Sequence, residues 1–147
     1  MGEPAAASNQ NRLVAVGLAA FWFIYFVILG LACYTALIRL GAVWTDLTYL
    51  DLVGFHYLAI SIIEAALVVY GVVLILQRKS GARWPLSAFI ILITFKANLL
   101  AVMVGTASEP DWNMYEPWTW RHTLELLALV GAMHAFFLFA RWIGRVR

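Results

Sequence analysis

Two oppositely charged residues stand in the middle of long apolar stretches of this sequence. Glu64 lies within the stretch 56–77, and Lys96 lies within the stretch 85–106. Because a charge inside a lipid bilayer needs a partner or a wet cavity, we predict an ion pair between the two side chains. Such a pair could fix the register of two helices, relay protons or anchor a ligand. The other interpretation leaves Lys96 facing lipid, with its ammonium group reaching toward the membrane surface.

Three further polar residues extend this pair into a candidate site. Tyr57 shares a helix face with Glu64, Asn98 lies on a polar stripe of the next helix, and His134 falls inside the last apolar stretch. Glu64, Lys96 and His134 each lie about 13 to 20 Å from an end of their predicted helices, which is near the middle of a bilayer. As the alternative to an ion pair that only fixes helix register, these residues would line a midplane pocket for a ligand or a proton relay.

Two more histidines are weak candidates for metal binding. His56 and His122 both stand at the predicted outer ends of their helices, where they could meet and hold haem or copper. However, the sequence contains no HxxH, HxxxH or ExxH spacing that would place two ligands on one helix face. We predict no metal and no cofactor, and we interpret both histidines as interfacial residues at helix starts.

No motif for catalysis is visible. The sequence has no GxSxG motif and no glycine-rich phosphate loop, and its single cysteine, Cys33, excludes an intramolecular disulfide and a CxxC redox pair. The net charge of +2 is too small to indicate nucleic-acid binding. These features favour a protein that is not an enzyme.

The composition predicts a membrane protein. Of the 147 residues, 64% are hydrophobic and only 12% are charged, whereas soluble domains carry about 25% charged residues. We predict an all-α integral membrane four-helix bundle, formed by residues 13–147 after a disordered cytoplasmic tail over residues 1–12. The predicted transmembrane helices cover residues 13–40, 56–77, 85–106 and 121–143.

The distribution of charge predicts how the bundle is oriented. The tails and the connector 77–84 are basic, whereas the loops 41–55 and 106–121 carry most of the acidic residues. The basic side chains of the first group are Arg12, Arg78, Lys79, Arg83, Arg141, Arg145 and Arg147. Because positive loops stay in the cytoplasm, we predict an up-down-up-down bundle in the cell membrane with both termini inside. In a bacterial host this would be the inner membrane.

Two short stretches resemble small membrane-protein families. IIEAALVVYG around Glu64 and LELLALVGAMHAF in the fourth helix resemble DoxX-like proteins, and the spacing from Glu64 to Trp84 and Glu109 resembles EXPERA sterol-isomerase-like domains. Lys96 stands where an EXPERA domain would have a neutral polar residue. Neither resemblance is adopted, and no functional residue is carried over.

Two functions follow as expectations. The first is a small non-catalytic subunit or accessory protein of a larger membrane complex, such as a respiratory or redox assembly, with other integral membrane subunits or further copies as partners. The small size and the absence of a catalytic motif favour it. The second is a pocket protein for a quinone, a sterol-like lipid or a proton-coupled substrate, as in an isomerase or a transporter. That function would use Glu64, Lys96 and His134.

Overall fold

The described part of the protein folds into four α-helices and one short 3-10 turn. The computed structural model describes residues 4–48, 55–105 and 120–147, and it describes side chains over 10–48, 57–96 and 120–147. The elements are α1 (Pro4–Thr48), α2 (Phe55–Leu76), the 3-10 turn (Ser80–Ala82), α3 (Arg83–Gly105) and α4 (Trp120–Trp142). The described part of the chain contains no strand, so the all-helical prediction with four helices is confirmed.

Helix α1 differs from its predicted span at both ends. It begins at Pro4, where the sequence predicts a disordered tail, and it continues to Thr48 rather than ending near residue 40. In the added turns, the hydroxyl groups of Thr45 and Thr48 donate hydrogen bonds to carbonyl oxygens four residues earlier. The predicted span ends at residue 40, directly after Arg39, which is the first charge within the apolar run. A helix need not end at a charge that finds a partner.

Among the helices that the structure describes, three are long and apolar enough to cross a membrane. They are the segments Gln10–Thr48 of α1, Tyr57–Leu76 of α2 and Trp120–Trp142 of α4. The observed bounds of α2, α3 and α4 lie within two residues of the predicted spans. At 1.5 Å per residue, the 45 residues of α1 extend about 68 Å, more than twice the hydrocarbon core of a bilayer.

The helices pack in chain order, α1 on α2, α2 on α3 and α3 on α4. The helices α2 and α3 approach each other closely at Gly71. A Cβ atom added there would lie 2.8 Å from Cδ2 of Leu86, which is closer than real contacts allow. The absence of a side chain at Gly71 therefore permits the close crossing of α2 and α3.

Aromatic side chains join α1 to α4 and α2. The rings of Phe21 and Phe136 stack with centroids 5.4 Å apart, and Phe137 beside them is fully buried. The hydroxyl group of Tyr25 donates a hydrogen bond to the carbonyl oxygen of Ile75 at the end of α2. The main apolar core therefore lies toward the connector between α2 and α3.

Candidate functional site

Three charged side chains meet where α1, α2 and α3 pack together. Oε2 of Glu64 lies 3.2 Å from Nη1 of Arg39 and 3.2 Å from Nζ of Lys96. The side chain of Glu64 is completely buried, and that of Lys96 is 7% exposed. The ion pair predicted between Glu64 and Lys96 is present, and Arg39 adds a second cation to it. We call these three residues the charge cluster.

One face of α2 holds Lys96 in place. Its ammonium group donates a hydrogen bond of 2.8 Å to Oγ of Ser61, and Nζ lies 4.0 Å from the ring centroid of Tyr57. Ser61 and Tyr57 precede Glu64 by three and seven residues, so all three side chains share the α2 face that meets Lys96. The structure thus brings Tyr57 to the charge cluster, where its aromatic ring attracts the cation.

Arg39 is the member of the cluster that sequence reasoning missed. The predicted first span ends next to Arg39, but α1 continues for nine residues beyond Arg39, and Glu64 lies nine residues after the start of α2. In two antiparallel helices these equal distances put both residues at the same depth. A prediction that continues the first helix past Arg39 would therefore have paired Arg39 with Glu64.

Two buried polar atoms of the charge cluster have no hydrogen-bond partner among the described residues. They are Oε1 of Glu64 and Nε of Arg39. With two cations and one anion, the cluster also carries a net positive charge. An unsatisfied buried polar atom costs about 1 to 3 kcal/mol. The cluster is therefore suited to accept a further polar group, and an anionic group would balance its charge.

An apolar cavity of about 480 Å³ opens beside the charge cluster, between α1, α3 and α4. The side chains that line the cavity are apolar except for Thr35, whose hydroxyl group lies one helical turn before Arg39. Val68 lines the cavity one turn after Glu64, and Phe89 lines it while its ring lies 5.7 Å from the guanidinium carbon of Arg39. The cavity thus ends within one helical turn of the cluster.

His134 lies apart from the charge cluster, contrary to the sequence prediction. Its Nε2 is 2.8 Å from Oγ of Ser87, and its ring meets Trp84 edge-on with centroids 5.0 Å apart. Ser87 precedes Lys96 by nine residues, or about 13 Å along α3. Similar predicted depth in separate helices did not bring these residues together, because His134 contacts the first turns of α3, at Trp84 and Ser87.

The hydrogen bonds of Ser87 indicate which ring nitrogen of His134 carries a hydrogen. The hydroxyl group of Ser87 donates its single proton to the carbonyl oxygen of Arg83 at 2.6 Å. Nε2 of His134 must then carry a hydrogen and donate to Oγ of Ser87. This arrangement is a local link between α3 and α4 near the basic connector 77–84.

The remaining candidates are only partly described. The side chains of Asn98 and His56 lie outside the described residues, so their predicted places are not tested. His122 lies in the first turn of α4. Within 10–48, 57–96 and 120–147, no group of three or more His, Cys, Asp or Glu residues is arranged to hold a metal ion.

Comparisons with known proteins identified no relative of this chain. No family model, no curated protein and no solved structure matches the chain. A function must therefore be inferred from the charge cluster and from the cavity beside it.

Proposed function

We propose that the protein is a membrane-embedded binding protein for one amphipathic molecule. The apolar part of this molecule occupies the cavity, and its polar head contacts Arg39. The observation that carries the proposal is the position of the cavity, whose apolar walls end within one turn of the charge cluster. Ligand sites commonly combine such apolar walls with a few convergent polar groups, and their volumes are typically about 300 to 1,000 Å³.

Arg39 is suited to be the contact for the polar head. Its side chain is 20% exposed, whereas those of Glu64 and Lys96 are 0% and 7% exposed. A guanidinium group offers several donors and pairs well with carbonyl or carboxylate oxygens. We therefore expect a head group with such an oxygen, as in a quinone or a fatty acid. Glu64 and Lys96 act as positioning residues that hold Arg39 at the cavity.

The proposed membrane arrangement has four spans in an up-down-up-down bundle. It adds α3 as a fourth span to the three helices that are long and apolar enough. The basic connector and the basic C-terminal residues support a cytoplasmic location for both termini, because positively charged loops are retained on that side. The charge cluster then lies about 13 Å below the outer end of α2, inside the hydrocarbon core.

The test is to identify what copurifies with the protein. The full chain is purified from its native membrane in mild detergent, and the small molecules that it retains are measured by mass spectrometry. Ala132→Phe fills the cavity from α4, and Ala135→Phe is the matched control because Ala135 does not line the cavity. We expect one class of amphipathic molecule, retained by the wild type and the control and lost from Ala132→Phe and from Arg39→Met. Equal retention by all four proteins would contradict the proposal.

A second function, the accessory subunit, is favoured by the outer surfaces of the bundle. In an apolar 18-residue stretch of α1 and of α4, only 11% of the residues are buried. Large side chains such as Phe23, Leu37 and Trp142 are 70 to 81% exposed. These faces would meet lipid or other membrane proteins. The same purification separates the two functions, since an accessory subunit should retain protein partners and no small molecule. A stable monomer without partners would count against it.

A further inference from the structure

A second cavity of about 480 Å³ lies at the connector end of the molecule, where α2, the start of α3 and the C-terminal residues meet. Lys79 and Arg147 form its charged side, and both side chains are exposed. The rest of its wall is mostly apolar or aromatic and includes Tyr70, Leu74, Trp84 and Pro85. We call this cavity the basic pocket. It shares no residue with the charge cluster or with the first cavity.

Backbone hydrogen bonds build the basic pocket. The amide of Ser80 donates to the carbonyl oxygen of Arg147 at 2.7 Å, and the amide of Arg147 donates to the carbonyl oxygen of Arg78 at 2.8 Å. These two bonds fasten the C-terminal residues to the connector and bring Arg147 next to Lys79. The acidic side chains of the described residues, Asp46, Glu64 and Glu125, belong to other parts of the helices, and no ion pair within the described part includes Lys79 or Arg147.

The polarity of the basic pocket changes along its length. Its apolar side is formed by Tyr70 and Leu74, which lie up to six residues inside the end of α2, toward the middle of the helix. Its cationic side is formed by Lys79 and Arg147, beyond the end of the helix. A free ion would need only the cationic side. A phospholipid needs both, because its phosphate lies at the membrane surface while its acyl chains run inward.

We propose that the basic pocket binds an anionic phospholipid of the surrounding membrane. Lys79 and Arg147 contact the phosphate group, and the ring of Trp84 lies at the level of the head groups, as interfacial tryptophans do. The start of an acyl chain lies along Tyr70 and Leu74. Basic pockets between helices on the cytoplasmic side of a membrane bind lipid head groups in this way. The proposal requires that the bundle spans a membrane but does not depend on a ligand at the charge cluster.

The experiment counts the lipids bound to the full chain. The protein, purified in detergent, is mixed with equal amounts of phosphatidylglycerol and phosphatidylcholine, and bound lipids are measured by native mass spectrometry. We expect a preference for phosphatidylglycerol that falls about 25-fold in Lys79→Gln/Arg147→Gln, or about fivefold for each cation removed. The control is Arg141→Gln/Arg145→Gln, which removes the same charge from exposed residues outside the basic pocket. It should keep the preference.

Three results would overturn the proposal. Equal loss in both double variants would mean that net charge, rather than the basic pocket, attracts the lipid. Equal binding of the two lipids by the wild type would exclude recognition of an anionic head group. Displacement of phosphatidylglycerol by inorganic phosphate alone would identify a site for the free ion instead of the lipid. Circular dichroism of each variant checks that the helices are unchanged.

Discussion

The charge cluster and the basic pocket each contain two cationic side chains, but the two pairs differ in burial and in their contact with a carboxylate. In the charge cluster, Arg39 and Lys96 are mostly buried and share the carboxylate of Glu64. In the basic pocket, Lys79 and Arg147 are exposed and have no carboxylate side chain beside them among the residues described there. Removing one member of a buried ion pair costs about 3 to 5 kcal/mol, whereas an exposed charge contributes about 1 kcal/mol or less. Burial therefore decides which of the two regions the fold depends on.

The largest effect should come from Glu64→Gln. The substitution keeps the shape of the side chain but leaves Arg39 and Lys96 without their anion. We expect a loss of about 3 to 5 kcal/mol in the free energy of unfolding, measured by denaturant titration in detergent. Glu125→Gln is the control, because it breaks an ion pair with Arg121 in which both side chains are more than half exposed. It should cost less than about 1 kcal/mol.

A double substitution sharpens the same comparison. Adding Lys96→Met to Glu64→Gln removes one of the two cations that lost their partner. We expect it to recover part of the stability, since contacting charges are not additive. If Glu64→Gln costs no more than Glu125→Gln, or if the double variant is less stable than either single variant, the buried pair does not hold the helices together.

Gly71→Ala should have the next largest effect. The charge cluster requires α2 and α3 to approach closely, and a Cβ atom at Gly71 would push against the buried side chain of Leu86. We expect a loss of about 1 to 3 kcal/mol, which is usual for overpacking. Gly131→Ala in α4 is the control, because no atom of another described element lies within 4 Å of the added Cβ there. The control should be neutral or slightly stabilising. Equal effects at the two glycines would mean that the close crossing is not a constraint.

These comparisons show how far the sequence alone could go. Apolar length and helical periodicity predicted the helices, and the cost of isolated charge predicted the contact of Glu64 with Lys96. The same reasoning used Arg39 as a boundary, although a charged residue can continue a helix when a neighbouring helix supplies its partner. It also joined His134 to the cluster because depth was counted along each helix, whereas rotation about the helix axis depends on packing. The cavity beside Arg39 is likewise a product of packing and has no signature in the sequence.

The helix ends beside the basic pocket share one backbone pattern. After both α2 and α4, the chain turns through a residue with positive φ, which is Arg78 (φ 54°) in the first case and Gly144 (φ 71°) in the second. In each case the next amide donates to a carbonyl oxygen five residues earlier, from Lys79 to Leu74 and from Arg145 to Ala140. This is the Schellman pattern, which usually has glycine at the turning residue.

Gly144→Ala should therefore destabilise the turn that leads to Arg147. A side chain in the left-handed region costs about 1 kcal/mol, and we expect that loss in the free energy of unfolding. Arg78→Gly is the reciprocal variant, which relieves the same strain but removes a guanidinium group 5.1 Å from the ring of Trp22. Its effect should be smaller than that of Gly144→Ala. A neutral Gly144→Ala would mean that the turn after α4 relaxes to another conformation.

The smallest effect on stability should come from the basic pocket itself. Lys79→Gln/Arg147→Gln removes two exposed cations and leaves the backbone hydrogen bonds of Ser80 and Arg147 in place. In detergent without lipid, we expect the free energy of unfolding to change by less than about 0.5 kcal/mol.

Added phosphatidylglycerol should then stabilise the wild type more than the double variant, because a ligand that binds only the folded protein raises its stability. High salt should reduce this difference, since the charges are exposed to solvent. The charge cluster should show the opposite behaviour, with a large effect of Glu64→Gln that changes little with salt. If the double variant unfolds as easily as Glu64→Gln, the exposed cations are part of the fold, and the contrast between the two regions is wrong.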